Sequence, residues 1–156
     1  MKHSILTTAM VLAAVAGEAL ALCETSTRMT TSALTAFLPG KLVCGRPAAG
    51  YPGGVGSTDR WQEEHRAGGQ LWDYKLGDSS TVDPRKQVGT WTVGSNAVTH
   101  TYSASTFSWS VHLISGTTYS FCNNPNVDVP GTEFVRAYII ADPGTGCATT
   151  GFPTVP

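Results

Sequence analysis

Gly89-Thr90-Trp91-Thr92-Val93-Gly94-Ser95-Asn96-Ala97-Val98-Thr99-His100-Thr101-Tyr102 carries the pattern that decides the fold. Side chains alternate across an extended chain, so Gly89, Trp91 and Val93 share one face, and Val98, His100 and Tyr102 share one after the interruption at residues 94–97. The following stretch continues the pattern with Phe107, Trp109, Val111 and Leu113. Period two, with aromatic and β-branched residues broken by glycine and asparagine, reads as antiparallel hairpins whose larger side chains face a core.

Outward from this stretch the same reading places strands at residues 41–44, 61–66, 70–76, 87–93, 98–102, 106–114, 118–122 and 133–141, about eight in all. Ala67-Gly68-Gly69 supplies the tight turn between the second and third. Residues 45–58, with Pro47, Pro52 and five glycines, and residues 78–85, with Ser79, Ser80 and Pro84, read as loops. Leu34, Phe37 and Leu38 fall at helical spacing between Thr30-Thr31-Ser32 and Pro39-Gly40, which predicts one short capped helix. The fold class is all-β: a single antiparallel meander that closes into a barrel or a strongly curled sheet, because a long meander otherwise exposes its edges. The helix then plugs or flanks one end.

Lys2 and His3 followed by an apolar run over residues 5–16 form a leader too short to span a bilayer, and Ala19-Leu20-Ala21 fits a peptidase site. The expected organisation is a signal peptide at 1–21, a β domain at 22–148 and a flexible tail at 149–156, with a secreted or periplasmic location and no transmembrane anchor. Cys23 raises lipidation as an alternative, although Leu22 before it is larger than a lipoprotein signal accepts. The remaining domain of about 135 residues is large enough for one core. The net charge of -1 and the 13% charged content give no electrostatic footprint for nucleic acid. Cys23, Cys44, Cys122 and Cys147 are an even set, so two disulfides are expected. Proximity in sequence favours Cys122 with Cys147 and Cys23 with Cys44. A zinc site lacks the usual Cys-x-x-Cys spacing.

If Val93 pairs with Val98, Trp91 lies opposite His100; if Tyr102 pairs with Phe107, His100 also lies opposite Trp109. His100 would then sit between two indoles, either as a neutral hydrogen-bonded core residue or as a polar anchor in a cavity lined by Trp91, His100, Tyr102 and Trp109. The strand Trp61-Gln62-Glu63-Glu64-His65-Arg66 divides into Trp61, Glu63, His65 on one face and Gln62, Glu64, Arg66 on the other. Across its turn His65 would face Leu71, Glu63 would face Asp73 and Glu64 would face Trp72. Glu63, His65 and Asp73 thereby gather as a candidate divalent-metal set, with a solvated polar edge as the plainer account. Glu63, Glu64 and His65 could alternatively serve a hydrolase as acid and base, but no motif sets a nucleophile beside a base. His112 is expected on the outer face. Arg136 is expected either to extend along a rim or to pair with a carboxylate such as Glu64.

The order Leu38-Pro39-Gly40-Lys41, Gln62-Glu63-Glu64-His65 and Gly89-Thr90-Trp91 resembles the layout of small secreted bacterial β domains. More remotely, Gly89-Thr90-Trp91 is similar to the Gly-x-Trp signature of calycin, lipocalin-like barrels, where it stands on the first strand rather than mid-chain. The resemblance implies a barrel and a packing role for Trp91. The expected function is non-catalytic binding of a small molecule or metal, the alternatives being an envelope partner held by residues 45–58 or 78–85, and a hydrolase. No cofactor is specified.

Overall fold

The computed structural model describes residues 23–48, 60–73, 85–123, 132–148 and 151–153. A 3-10 turn at Thr25–Thr27 and a helix α1 at Thr31–Phe37 precede eight strands: β1 Lys41–Pro47, β2 Trp61–His65, β3 Gln70–Asp73, β4 Lys86–Gly94, β5 Ala97–Tyr102, β6 Thr106–Ser115, β7 Thr118–Cys122 and β8 Glu133–Ala141. Each strand pairs antiparallel with the next, and β1 pairs with β8, so the sheet closes into an up-and-down barrel. The expected meander, its closure and its single short helix are all present.

Local chemistry explains the corners. Ser95 and Asn96 both have positive φ, the geometry of a two-residue hairpin turn that follows the right-handed strand twist. Asn96 then holds the helix start: its Oδ1 accepts from Thr31 N at 2.8 Å, and its own N–H donates to Thr31 Oγ1 at 2.8 Å. Thr30 caps α1 by accepting from Ala33 N at 3.2 Å. The helix buries Leu34, and Leu38 just beyond it is also fully buried in the core that fills the barrel. Two such side chains contribute about 1.5–3 kcal/mol each through burial. They plug the end where β1 begins and β2 ends, and Gly40 N donates to His65 O there at 2.7 Å.

Three details differ from the sequence reading. β1 continues through Gly45, Arg46 and Pro47, which were expected in a loop, because these residues pair with Ala137, Arg136 and Val135 of β8. A glycine is needed at 45, where a Cβ would lie 2.6 Å from Val135 Cγ1. The β5–β6 register is shifted by two from the expected one: His100 pairs with Phe107, and Val98 with Trp109, because Tyr102 N donates to Ser105 O and tightens the turn. Leu113 is 44% exposed rather than in the core; it adjoins the bulge that separates it from Ser115.

The disulfides also differ in their pairing. Cys23 joins Cys122 and Cys44 joins Cys147, with sequence separations of 99 and 103. Nearness along the chain was the wrong guide, since a barrel brings residues together by strand position. Each bridge fastens a terminal segment to the outer wall. Phe152, in the expected tail, is buried against Leu42, Cys44 and Cys147, so residues 151–153 are packed rather than loose. Among the described residues no helix is long and apolar enough to cross a membrane. The expected leader at 1–21 lies outside the described residues, which begin at Cys23.

Two outcomes are expected from these features. Peptide mapping without reduction should recover Cys23 linked to Cys122 and Cys44 linked to Cys147, and replacing Cys44 and Cys147 together by alanine should cost about 3–5 kcal/mol in denaturant unfolding. Gly89→Ala should destabilise by about 2–3 kcal/mol, because an added Cβ would lie 2.2 Å from the Thr101 carbonyl oxygen of the paired strand.

Candidate functional site

β2 points Trp61, Glu63 and His65 into the barrel, and β5 points His100 and Tyr102 in from the other side of β3 and β4. The alternation that made these residues one-faced in the sequence therefore makes them meet across the lumen. The Tyr102 hydroxyl donates to Glu63 Oε1. Glu63 Oε2 lies 3.3 Å from His100 Nδ1, and His100 Nε2 lies 3.0 Å from His65 Nε2, a bond in which one ring donates and the other accepts. His65 then packs edge-on against Trp91 at 5.3 Å, and Trp91 Nε1 donates to Arg66 O at 3.0 Å. Both histidines are fully buried, and Glu63 is 2% exposed.

This polar chain crosses an otherwise apolar core, which sets its electrostatics. Complete burial, and then the proximity of His100, hold the His65 pKa well below the ordinary histidine value, so the ring is neutral. Burial first, and then the adjacent Glu63 carboxylate, push the Tyr102 phenol far above its ordinary value. Tyr102 therefore keeps its proton and donates it to Glu63.

Above the chain, at the end opposite α1, the barrel opens into a cavity of about 360 Å³. Its walls are Trp61, Tyr102, Phe107, Trp109, Phe134 and Val135. Trp109 stacks on Phe134 at 4.3 Å and on Phe107 at 5.9 Å, while Tyr102 meets Phe107 edge-on at 6.0 Å. Phe107 is 43% exposed, a large apolar surface held open to solvent.

The predicted ligand-binding residues divide between these two regions. Tyr102 and Trp109 line the cavity. His100 is sealed beneath it, and Trp91 packs on His65 deeper in the core. Trp91 does pair with His100, as expected, but Trp109 does not, because of the shifted register; the aromatic ring near His100 on its other side is Trp61, at 5.9 Å. Trp61, Phe107 and Phe134 are the aromatic cavity residues missing from the expected set. Phe107 was legible as inward-facing, Trp61 only as sharing a face with Glu63 and His65, and Phe134 shares its strand face with Arg136, Tyr138 and Ile140.

The metal set is not assembled. Glu63 does pair with Asp73, and His65 with Leu71, but His65 Nε2 is turned to His100 and Glu63 is bonded to Tyr102. Among the described residues no group of three or more histidine, cysteine, aspartate or glutamate side chains is placed to hold a metal ion. The hydrolase set is also divided by the strand alternation. Glu64 lies on the outer face, where it accepts from Arg66 Nε and Arg85 Nε at 2.9 Å each. Burial pushes its pKa up, but these two arginines outweigh that and hold it below its ordinary value. Arg136 pairs with Glu133 at 2.8 Å, not with Glu64.

Comparison with protein-family models, with curated proteins and with solved structures finds no match. The geometry alone carries the functional argument. Of the two loops expected to hold a partner, residues 49–58 and 78–84 lie outside the described residues.

His112 stands on the outer face as expected, but it is buried there under the N-terminal segment. Its Nδ1–H donates to Glu24 O at 2.9 Å, and its Nε2 lies 2.9 Å from Ser110 Oγ. Burial is the main cause that lowers its pKa. His65 and His112 thus both have lower pKa values folded than unfolded. Their contribution is fully present above about pH 6.5 and is lost as pH falls through the folded values. Denaturant unfolding should show stability falling as pH drops below about 6.5, with a slope of at most about 1.4 kcal/mol per pH unit for each histidine. His112→Asn should reduce that slope; an unchanged slope would remove His112 from the acid response.

Proposed function

We propose that this protein is an exported, non-catalytic binding barrel that holds a small, largely apolar molecule in the mouth opposite α1. The observation that carries this reading is the cavity of about 360 Å³ walled by stacked aromatic rings at the open end of a closed barrel. Such pockets are usually apolar, with few polar groups to fix orientation, and here Tyr102 is the polar group tied to the interior. The exposed Phe107 ring supports the same reading, since burying it against a ligand removes apolar area from water. Two disulfides suit an oxidising compartment, in keeping with the leader-like start of the sequence. Catalysis has less support, because Glu63, His65 and His100 are enclosed beneath the cavity, with the two histidines bonded to each other and Glu63 to Tyr102.

Titration with N-phenyl-1-naphthylamine, whose fluorescence rises in apolar surroundings, tests this reading. Saturable binding near one molecule per chain is expected, weakened about tenfold or more by Trp109→Ala and by Phe134→Ala. A folded protein that gives no saturable signal would overturn it.

A further inference from the structure

The cavity's ligand can be specified further, on the basis of the binding reading above. Tyr102 lines the cavity, yet its hydroxyl proton is already directed into the enclosed interior beneath it, to Glu63 Oε1. A phenol whose proton is committed offers an approaching molecule only its oxygen lone pairs. Behind that oxygen stand two carboxylates, Glu63 and Asp73, the second close enough to raise the Tyr102 pKa in the same direction as Glu63. An anion brought to this oxygen would meet both a missing donor and a negative field. Arg60 also borders the cavity, but its guanidinium lies over the Phe152 ring at 5.1 Å, and Phe152 packs on the outer wall. That contact holds the guanidinium against a ring of the outer wall, whereas Glu63 is bonded directly to the Tyr102 hydroxyl.

The remaining walls contribute flat apolar surfaces. Trp109 and Phe134 lie stacked, and Phe107 is parallel to Trp109 within 8°. Trp61 adds another indole on the side nearest His100. Planar rings fit against such surfaces with little loss of conformational freedom.

We infer that the cavity selects a planar aromatic molecule carrying a hydrogen-bond donor, a hydroxyl or an N–H, which it places on the Tyr102 oxygen, and that it discriminates against aromatic carboxylates. Tyr102 is the specificity-determining residue, and Glu63 positions it by fixing the direction of its proton.

Four probes of one ring framework separate the contributions: naphthalene, 2-naphthol, 2-naphthylamine and 2-naphthoate, each titrated against the disulfide-bonded protein by calorimetry or tryptophan quenching at neutral pH. The naphthol and the amine are expected to bind about tenfold tighter than naphthalene, as one retained hydrogen bond would give, and naphthoate weaker than naphthalene. Tyr102→Phe should bring naphthol to within about twofold of naphthalene, while naphthalene itself changes little. That split separates a specificity role from a structural one, since loss of structure would weaken every probe together. The ranking on the unaltered protein stands as a test by itself if the variant does not fold. Equal binding of all four probes, or tightest binding of naphthoate, would overturn this inference and leave the binding cavity intact. Binding of none would overturn the cavity reading and this inference with it.

Discussion

The ladder between β1 and β8 is the constraint on which the rest of the structure depends. Seven residue pairs, from Lys41 with Ala141 to Pro47 with Val135, join the first strand to the last. Without them the meander would have two free edges and an interior open along its length. Once they form, every inward-facing residue is enclosed, whatever its polarity. Glu63, His65 and His100 are inside because they share the inward phase of β2 and β5 with Trp61, Val98 and Tyr102. Closure also needs a glycine at position 45, where the wall has no room for a side chain.

Enclosure makes the polar groups answer to one another. A carboxylate in an apolar lumen is costly by several kcal/mol unless its oxygens find partners. Glu63 accepts from the Tyr102 hydroxyl through Oε1, while Oε2 lies 3.3 Å from His100 Nδ1 without a hydrogen bond. His100 in turn is bonded to His65, which complete burial keeps neutral. The chain is therefore a structural unit that begins in the core and ends at the mouth. Its last member, Tyr102, belongs to both regions, so the orientation of a cavity residue is set by groups that the cavity does not expose.

Period-two reasoning recovered much of this from the sequence, and its failures have physical causes. The β2–β3 and β4–β5 registers were legible because short glycine or asparagine turns fix them, which placed Glu63 opposite Asp73 and Trp91 opposite His100. The β5–β6 register was misread by two residues, since nothing in Ser103-Ala104-Ser105 announces that Tyr102 N bonds to Ser105 O. A shift of two keeps every face, so the inward residues survived the error while the neighbours of His100 did not. The contact between His65 and His100 was beyond sequence reading altogether: it spans the lumen between strands that are not adjacent in the sheet. The cystines failed for the related reason that terminal segments return to strands far away in sequence. Phe134 was hidden because its neighbours on the same face, Tyr138 and Ile140, pack on the outer wall instead.

The fastened termini bear on where a ligand can be held. Cys23 and the residues that follow lie over the outer face of β6 and β7, where they cover His112. The segment after β8 lies over β1 and β2, with Cys147 N donating to Gln62 Oε1 and Phe152 packed on Cys44. Apolar and polar groups that would otherwise be open on these outer faces are thus satisfied by the chain itself. At one end of the lumen Leu34 and Leu38 do the same for the core. The mouth differs from all three: its rings are stacked on each other, and Phe107 stays open to water. Where the described termini cover parts of the outer wall and α1 closes the other end, the mouth keeps an aromatic cavity above the polar chain, and the proposed binding rests on that surface.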